Sequence, residues 1–370
     1  MVYAYMLSFE EILSSLNKEE NEEERHVIGW TCTYLPLEIL EAGGLHPYRI
    51  LPTPSSEKAD AYLDPNFCPL IKASLGTALA GGYSFLSGIV MVNTCDGMRR
   101  LYDAWRFYSP SPFCFFLDLP RVITSSSIAY FSERLQEFME QIEHTFQAKI
   151  TEDELAGAIE DANFTRFLLR RLLSLKGMGN PPLRYGDILE IFAEQWRNPR
   201  KVFNKALERY VAQFEMETPF PSNGLKLMVT GSLLDGSPLI HLLEDLGGEV
   251  VTSDLCTGGR FLERVDYAAD PLRSLSEAYL KKPPCARMYD TERRISHIRQ
   301  ELIRTGAQGV IYFTLKFCDP YLYEAPALKA ALQEMDIPIL FIEADYTARI
   351  SGGSRTRVQA FLEMLERNVE

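Results

Sequence analysis

The segment GVIYFTLKFCDPY, residues 309–321, sets the reading of the whole chain. It opens with an apolar run rich in β-branched and aromatic residues, the pattern of a buried strand. It closes in Phe-Cys-Asp-Pro, where the chain must turn into a helix. A cysteine, Cys318, therefore stands at the carboxyl end of a buried strand. Two further stretches share this design: GIVMVNTCDGMRR, residues 88–100, carries Cys95, and HVIGWTCTYLP, residues 26–36, carries Cys32. A fourth, EVVTSDLCTGGRFLERV at 249–265, delivers Cys256.

Around these stretches, strand, turn and helix alternate. HVIGWTCTYLPLEILEAGG predicts a strand and a helix from about Pro36, stopped by Gly43-Gly44. HPYRILPTP supplies a short strand, FCPLIKASLGTALAGG a helix from about Pro69, and PFCFFLDLP a strand with Cys114 inside it. The second alternating unit begins at LKLMVTGSLLDGSP and ends with the strand IPILFIEADYT and the helix SRTRVQAFLEMLERN. Between the two units, roughly 125–217, apolar residues recur at three- and four-residue spacing, which predicts helices. KGMGNPP breaks that helical run and ETPFPSNG reads as a linker. The expected fold class is α/β, with two lobes of parallel sheet flanked by helices and a mainly helical middle segment. The expected division is an N-terminal helical segment at 1–26, a first α/β domain at 27–124, a helical segment at 125–222 and a second α/β domain at 223–370.

The totals set limits on function. A chain of 370 residues exceeds one small core. A net charge of −13 weighs against nucleic acid and anionic membrane surfaces. No apolar run reaches the ~18 residues of a membrane span, and the start lacks a basic, cleavable leader, so a cytoplasmic location is expected. The cysteines number seven, with no C-x-x-C pair, which suggests neither a disulfide framework nor a zinc ribbon. Ligands of parallel sheets sit beyond the carboxyl ends of strands. Cys32, Cys95, Cys256 and Cys318 hold such positions, whereas Cys114 belongs to packing. The bland reading of each thiol taken alone is a small buried hydrophobe.

The blocks TCTYLPLEILEAGGLHPYRI, FCPLIKASLG, NTCDGMRRLYDAW, DLCTGGRFLERV and KFCDPYLYEAPALKAALQEMDIPILFIEADY resemble the 2-hydroxyacyl-CoA dehydratase / benzoyl-CoA reductase family. So does the terminal GGSRTRVQAFLEML, with Glu343, Asp345, Arg355 and Arg357 as the characteristic residues of the final block. The chain resembles the smaller, D-component-like subunit more than the larger one. The resemblance implies a [4Fe–4S] cluster held by Cys32, Cys95 and Cys318, with the fourth iron open or bound by a non-cysteine ligand. A branch of similar proteins, the double-cubane cluster proteins, implies instead an [8Fe–9S] centre on six cysteines, adding Cys68, Cys256 and Cys285. It implies either a dehydratase-type lyase acting on acyl-CoA or a low-potential reductase of small molecules, working as a homodimer or beside a related subunit.

The sequence holds no G-x-x-x-x-G-K-[ST], so no P-loop of its own. The resemblance supplies the counterpart, a separate ATP-hydrolysing iron–sulfur activator that injects one electron. Moving an electron from about −400 to about −700 mV costs roughly 7 kcal/mol, which explains the need for nucleotide hydrolysis. Other residues carry two readings each. Gly258 and Gly259 make a tight turn or open onto an anion. Arg99 and Arg260 neutralise site charge or form surface ion pairs. His46 packs or faces the site, and Glu343, at a strand terminus, caps structure or donates a proton. Two other classes compete: a cluster-free assembly or regulatory subunit that binds through the helical middle, and a plain nucleotide-binding α/β protein. The absence of G-x-G-x-x-G after any strand counts against the latter.

Overall fold

The computed structural model describes residues 7–18, 25–52, 58–179, 182–214, 224–267, 270–346 and 350–369. Most of the acidic stretch after the first helix, and the linker at 217–224 apart from Gly224, lie outside them.

The first unit is a four-stranded sheet, β1 (Val27–Trp30), β2 (His46–Arg49), β3 (Gly88–Val92) and β4 (Phe113–Leu117), in the spatial order β2-β1-β3-β4. Helix α1 (Phe9–Asn17) precedes it; α2 (Leu37–Ala42), α3 (Pro69–Leu79) and α4 (Asp96–Tyr108) connect its strands. Four helices follow: α5 (Ser125–Phe146), α6 (Glu152–Ser174), α7 (Tyr185–Glu194) and α8 (Arg200–Ala212). The second sheet comprises β5 (Leu225–Gly231), β6 (Gly248–Asp254), β7 (Gly309–Leu315) and β8 (Ile339–Ala344), in the matching order β6-β5-β7-β8. Its helices are α9 (Pro238–Asp245), α10 (Pro271–Lys281), α11 (Thr291–Thr305), α12 (Asp319–Gln333) and α13 (Gly352–Val369). Every strand pair is parallel, as alternation of strand and helix requires.

Alternation along β3 shows how the first sheet is covered. Val90 and Val92 join the core shared with the helical segment and second sheet, while Ile89 and Met91 face a smaller cluster with Ile71, Leu75, Leu101 and Trp105. The helical segment bridges the units: α2 packs on α6 and α5 on α10. In each sheet the order reverses between the first and third strands, so each has a crevice beyond its central carboxyl ends. Gly231 ends β5 at the second crevice with φ +142, where a Cβ would stand 1.8 Å from the carbonyl oxygen of Phe313. Glycine is thus required for the close β5–β7 approach.

Candidate functional site

Three cysteines occupy the N-cap positions of helices: Cys68 on α3, Cys95 on α4 and Cys318 on α12. None makes a capping side-chain bond. Capping favours Ser, Thr, Asp or Asn, so capping itself does not account for cysteine at these three helix starts. Phe317, directly before Cys318, has φ 55, an uncommon conformation for a bulky residue. These three cysteines line one cavity of about 660 Å³, with Arg121, Arg287 and the exposed rings of Tyr289, Tyr323 and Phe317.

Cys285 reaches the same neighbourhood from the loop between α10 and α11, which docks on the first unit. The backbone N–H of Cys285 donates to the Tyr34 hydroxyl at 3.4 Å, and Lys282 Nζ donates to the Thr33 carbonyl. Lys282 also lies 4.1 Å from the centroid of Tyr34 and 5.0 Å from that of Tyr279. Further out, Arg166 Nη2 donates to Glu38 Oε1 at 2.6 Å and the Tyr279 hydroxyl to Glu38 Oε2 at 2.7 Å. This buried seam sets Cys285 beside Cys32.

One guanidinium ties the thiols together. Burial opposes the charge of Arg287, yet Cys318, Cys95, Tyr321 and Cys285 hold its proton far more tightly than usual. The same group favours ionisation of Cys32, Cys68, Cys285 and Cys318. Its Nη2 lies 3.7 Å from Cys318 Sγ. Cys68 and Cys318 interact directly, which holds the Cys318 thiol up and draws that of Cys68 down. Burial raises Cys32, and Cys285 raises it further. Burial also opposes ionisation of Cys285, but Arg287 and Arg260 together outweigh it and bring the thiol down. Burial draws Lys282 down to about 8 against the opposing pull of Cys32 and Cys285.

A buried polar network supports this side of the site. Arg260 Nε donates to Asp254 Oδ1 at 2.9 Å, and Arg294 Nη1 donates to Asp254 Oδ2 at 2.6 Å and to the Pro284 carbonyl at 2.9 Å. Arg294 Nε donates to Glu324, and Arg260 Nη1 to the Tyr321 hydroxyl at 2.9 Å. Arg260 is therefore no surface arginine: at 2% exposure it needs Asp254 as counter-ion. The network thereby holds the backbone carbonyl of Pro284, directly before Cys285, and the side chain of Tyr321, three residues after Cys318.

The other candidates fall elsewhere. Cys256, just beyond β6, receives a hydrogen bond from Arg49 and does not line the cavity that Cys68, Cys95 and Cys318 share. Cys114 packs beside Tyr102 and Phe116, and burial pushes its thiol up to about 11. Glu343 is an exposed residue within β8 and lines a different cavity with Lys316, Asp345 and Tyr346. Substituting Glu343→Gln is accordingly expected to leave bound iron and visible absorption unchanged, as measured on anaerobically purified protein. His46 begins β2, at the opposite end of the sheet from Cys32. Arg99 donates through Nε to Asn93 Oδ1 at 2.7 Å. Gly258 and Gly259 form a tight turn in which a Cβ at Gly258 would meet Ser253 Oγ at 2.4 Å. Sequence reading missed Arg287, Lys282, Arg294 and Arg49; proximity to Cys285 in PPCARMYD was the one available signal, and it pointed only to Arg287.

The residues present suit a thiolate-held iron–sulfur centre. Four buried polar atoms have no partner among the described residues near these cysteines: Trp30 Nε1, Thr31 Oγ1, Arg49 Nε and Thr94 Oγ1. They flank Cys32 and Cys95 or belong to the partner of Cys256. Buried orphans require an explanation, and the sulfur-rich surface of an anionic cluster would supply acceptors.

The sequence profile of the 2-hydroxyglutaryl-CoA dehydratase D-component matches residues 32–365. The chain belongs to this family. Among relatives, YjiM of Escherichia coli (strain K12), named as a candidate dehydratase subunit, is 28% identical over 357 residues, covering 92% of this chain and 91% of YjiM. A benzoyl-CoA reductase subunit of Thauera aromatica is 26% identical, covering 87% of this chain and 86% of its own. The (R)-phenyllactyl-CoA dehydratase beta subunit of Clostridium sporogenes is 25% identical, covering 94% of each chain. Family members thus include subunits of both dehydratases and a reductase. Among the described residues no helix is long and apolar enough to cross a membrane.

Proposed function

We propose that this chain is the iron–sulfur subunit of a low-potential enzyme, either a dehydratase-type lyase acting on 2-hydroxyacyl-CoA or a reductase. The observation that supports the reading is the gathering of Cys32, Cys68, Cys95, Cys285 and Cys318 about Arg287. In this reading Cys32, Cys95 and Cys318 hold a [4Fe–4S] cluster. When bound, such a cluster supplies one-electron transfer at low potential and an open, Lewis-acidic iron.

The chain's own groups have definable tasks. Arg287 and Lys282 offset thiolate charge in a poorly hydrated place, where Coulomb terms are large. Tyr289, Tyr323 and Phe317 give the cavity an aromatic mouth that receives the apolar part of a substrate and limits water. With no P-loop in its sequence, the chain takes its electron from an ATP-hydrolysing activator. It works in the reducing cytoplasm, paired with a second copy or a related subunit.

A second reading, a double-cubane [8Fe–9S] centre reducing small molecules, is favoured by one observation: Cys68 and Cys285 join the predicted triad, more thiols than one cubane with an open iron needs. The sixth cysteine of that reading, Cys256, meets Arg49 instead of this group. Iron and sulfide analysis of anaerobically purified protein separates the readings, at about four irons per chain for one cubane and about eight for two. Protein that stays metal-free after anaerobic reconstitution would overturn both and leave the cluster-free regulatory subunit.

A further inference from the structure

Asp187 and Glu190 stand three residues apart on α7, so both carboxylates leave the same face of that helix. The helix packs on α9, which delivers His241. His241 Nε2 lies 3.1 Å from Glu190 Oε1 and 3.9 Å from Asp187 Oδ1, and one ligand atom from each residue falls within 4.8 Å of the others. Tetrahedral zinc holds its nitrogen and oxygen ligands roughly 3.3–3.6 Å apart, a spacing that the two separations bracket. Among the described residues neither carboxylate forms an ion pair with a lysine or arginine; Arg184, at the start of the same helix, is taken by Glu244 and Asp245. Glu190 Oε1 also accepts from the Ser237 hydroxyl, and Asp187 Oδ2 accepts the Arg184 backbone N–H at 3.1 Å, which leaves Oδ1 towards His241. The imidazole is set in place from two sides. Its Nδ1 faces Glu244 Oε2 at 3.9 Å, and Glu244 is itself held by the backbone N–H groups of Tyr185 at 2.9 Å and Gly186 at 3.3 Å. A carboxylate opposite the second ring nitrogen is the arrangement that orients metal-bound histidines. Gly186 supplies the room, since a Cβ there would stand 2.4 Å from His241 Cε1. Glycine weakens a helix, and the seat of the ring accounts for it here.

We propose that Asp187, Glu190 and His241 form a zinc site that staples the helical segment to the second unit, with water in the fourth position. One imidazole with two carboxylates suits zinc, whereas calcium and magnesium ask for an all-oxygen set. The two carboxylates offset the charge of the ion where no cationic side chain already does so. Bound zinc holds α7 on α9 through three inner ligands, in place of the single contact from His241 to Glu190. None of the three residues lines the cysteine cavity, so the site stands apart from the thiol group and does not depend on iron there.

The test adds zinc to anaerobically reconstituted parent, His241→Ala and Glu190→Gln, with any thiols left without iron alkylated first so that they cannot compete. Zinc affinity comes from competition with a chelator, the ligand shell from X-ray absorption at zinc, and stability from thermal unfolding. The parent is expected to show a nitrogen and oxygen shell without sulfur and a Tm that rises with zinc. Each variant is expected to bind at least ~10-fold more weakly, the lower bound for disturbing even a supporting partner of a metal ligand, and to lose the rise in Tm. Should His241→Ala fail to fold, Glu190→Gln carries the comparison, because its amide keeps the shape of an exposed side chain. A parent that takes up no zinc, or zinc bound equally by parent and folded variants, overturns the site. Neither result bears on the iron count, which tests the thiol centre separately.

Discussion

Serine in place of Cys318 is expected to cut the iron retained after anaerobic reconstitution by at least ~10-fold. That is the lower bound for disturbing even a supporting partner of a metal ligand, and here the ligand itself is lost. Cys318 is central to the geometry: it stands at the N-cap position of α12, interacts directly with Cys68, lies near Arg287 and lines the cavity. A hydroxyl is a poorer soft-metal donor and stays protonated where a thiol ionises. Cys114→Ser provides the control, because that thiol lies inside β4 among aromatic rings, apart from the group. Equal iron in Cys318→Ser, Cys114→Ser and parent protein would remove Cys318 from the site and with it the leading functional proposal.

Replacing Asp254 with alanine should cost roughly 3–5 kcal/mol of folding stability, the range for breaking a buried charge network by removing one partner. Asp254 is 2% exposed and accepts from both Arg260 and Arg294. Without it two guanidinium groups remain desolvated, with Glu324 as the carboxylate still paired to Arg294. Burial alone would raise the pKa of Asp254, but Arg260 and Arg294 outweigh it and hold the carboxyl well below the usual range. The folded-state pKa is depressed, so this stabilisation is complete above the unfolded value of about 3.9. It is lost as pH falls below that value. Chemical denaturation of the parent and Asp254→Ala from neutral pH downward checks both points: the gap between them should narrow below about pH 4. A gap under ~1 kcal/mol at neutral pH, within the ordinary range for a surface pair, would show that the network is dispensable. Because Arg294 also holds the Pro284 carbonyl and Arg260 the Tyr321 hydroxyl, the variant should bind less iron as well.

Much of the architecture was legible because strand and helix write different periods into a chain. The apolar run at 309–315 became β7, and the Asp-Pro after Cys318 became the first turn of α12. GIVMV became β3 with Cys95 at the next helix cap, and ILFIEA within IPILFIEADYT became β8. Strand-end placement singled out Cys32, Cys95 and Cys318, and resemblance added Cys68 and Cys285, which share their surroundings in the fold. Cys256 also stood at a strand end, yet its own loop turns it towards Arg49. Arg260 read as a surface residue because a lone arginine after two glycines carries no local sign of a buried counter-ion. Its burial depends on Asp254 across a turn, a counter-ion shared with Arg294 from a helix thirty-odd positions later, which local pattern does not encode.

Local stretches of chain dictate the two parallel α/β units, the helical run between them and the thiols at strand and helix termini. These are consequences of periodicity, turn chemistry and capping, all written within a few residues. Which thiols meet, that Arg287 sits among five of them while Arg49 takes the sixth, and that Glu343 stands elsewhere were settled by folding in three dimensions. Those outcomes depend on how the loop after α10 docks against the first unit through Lys282, Tyr34 and Glu38. Docking is a balance of burial and charge pairing between distant segments, and no single stretch of chain carries both sides of it.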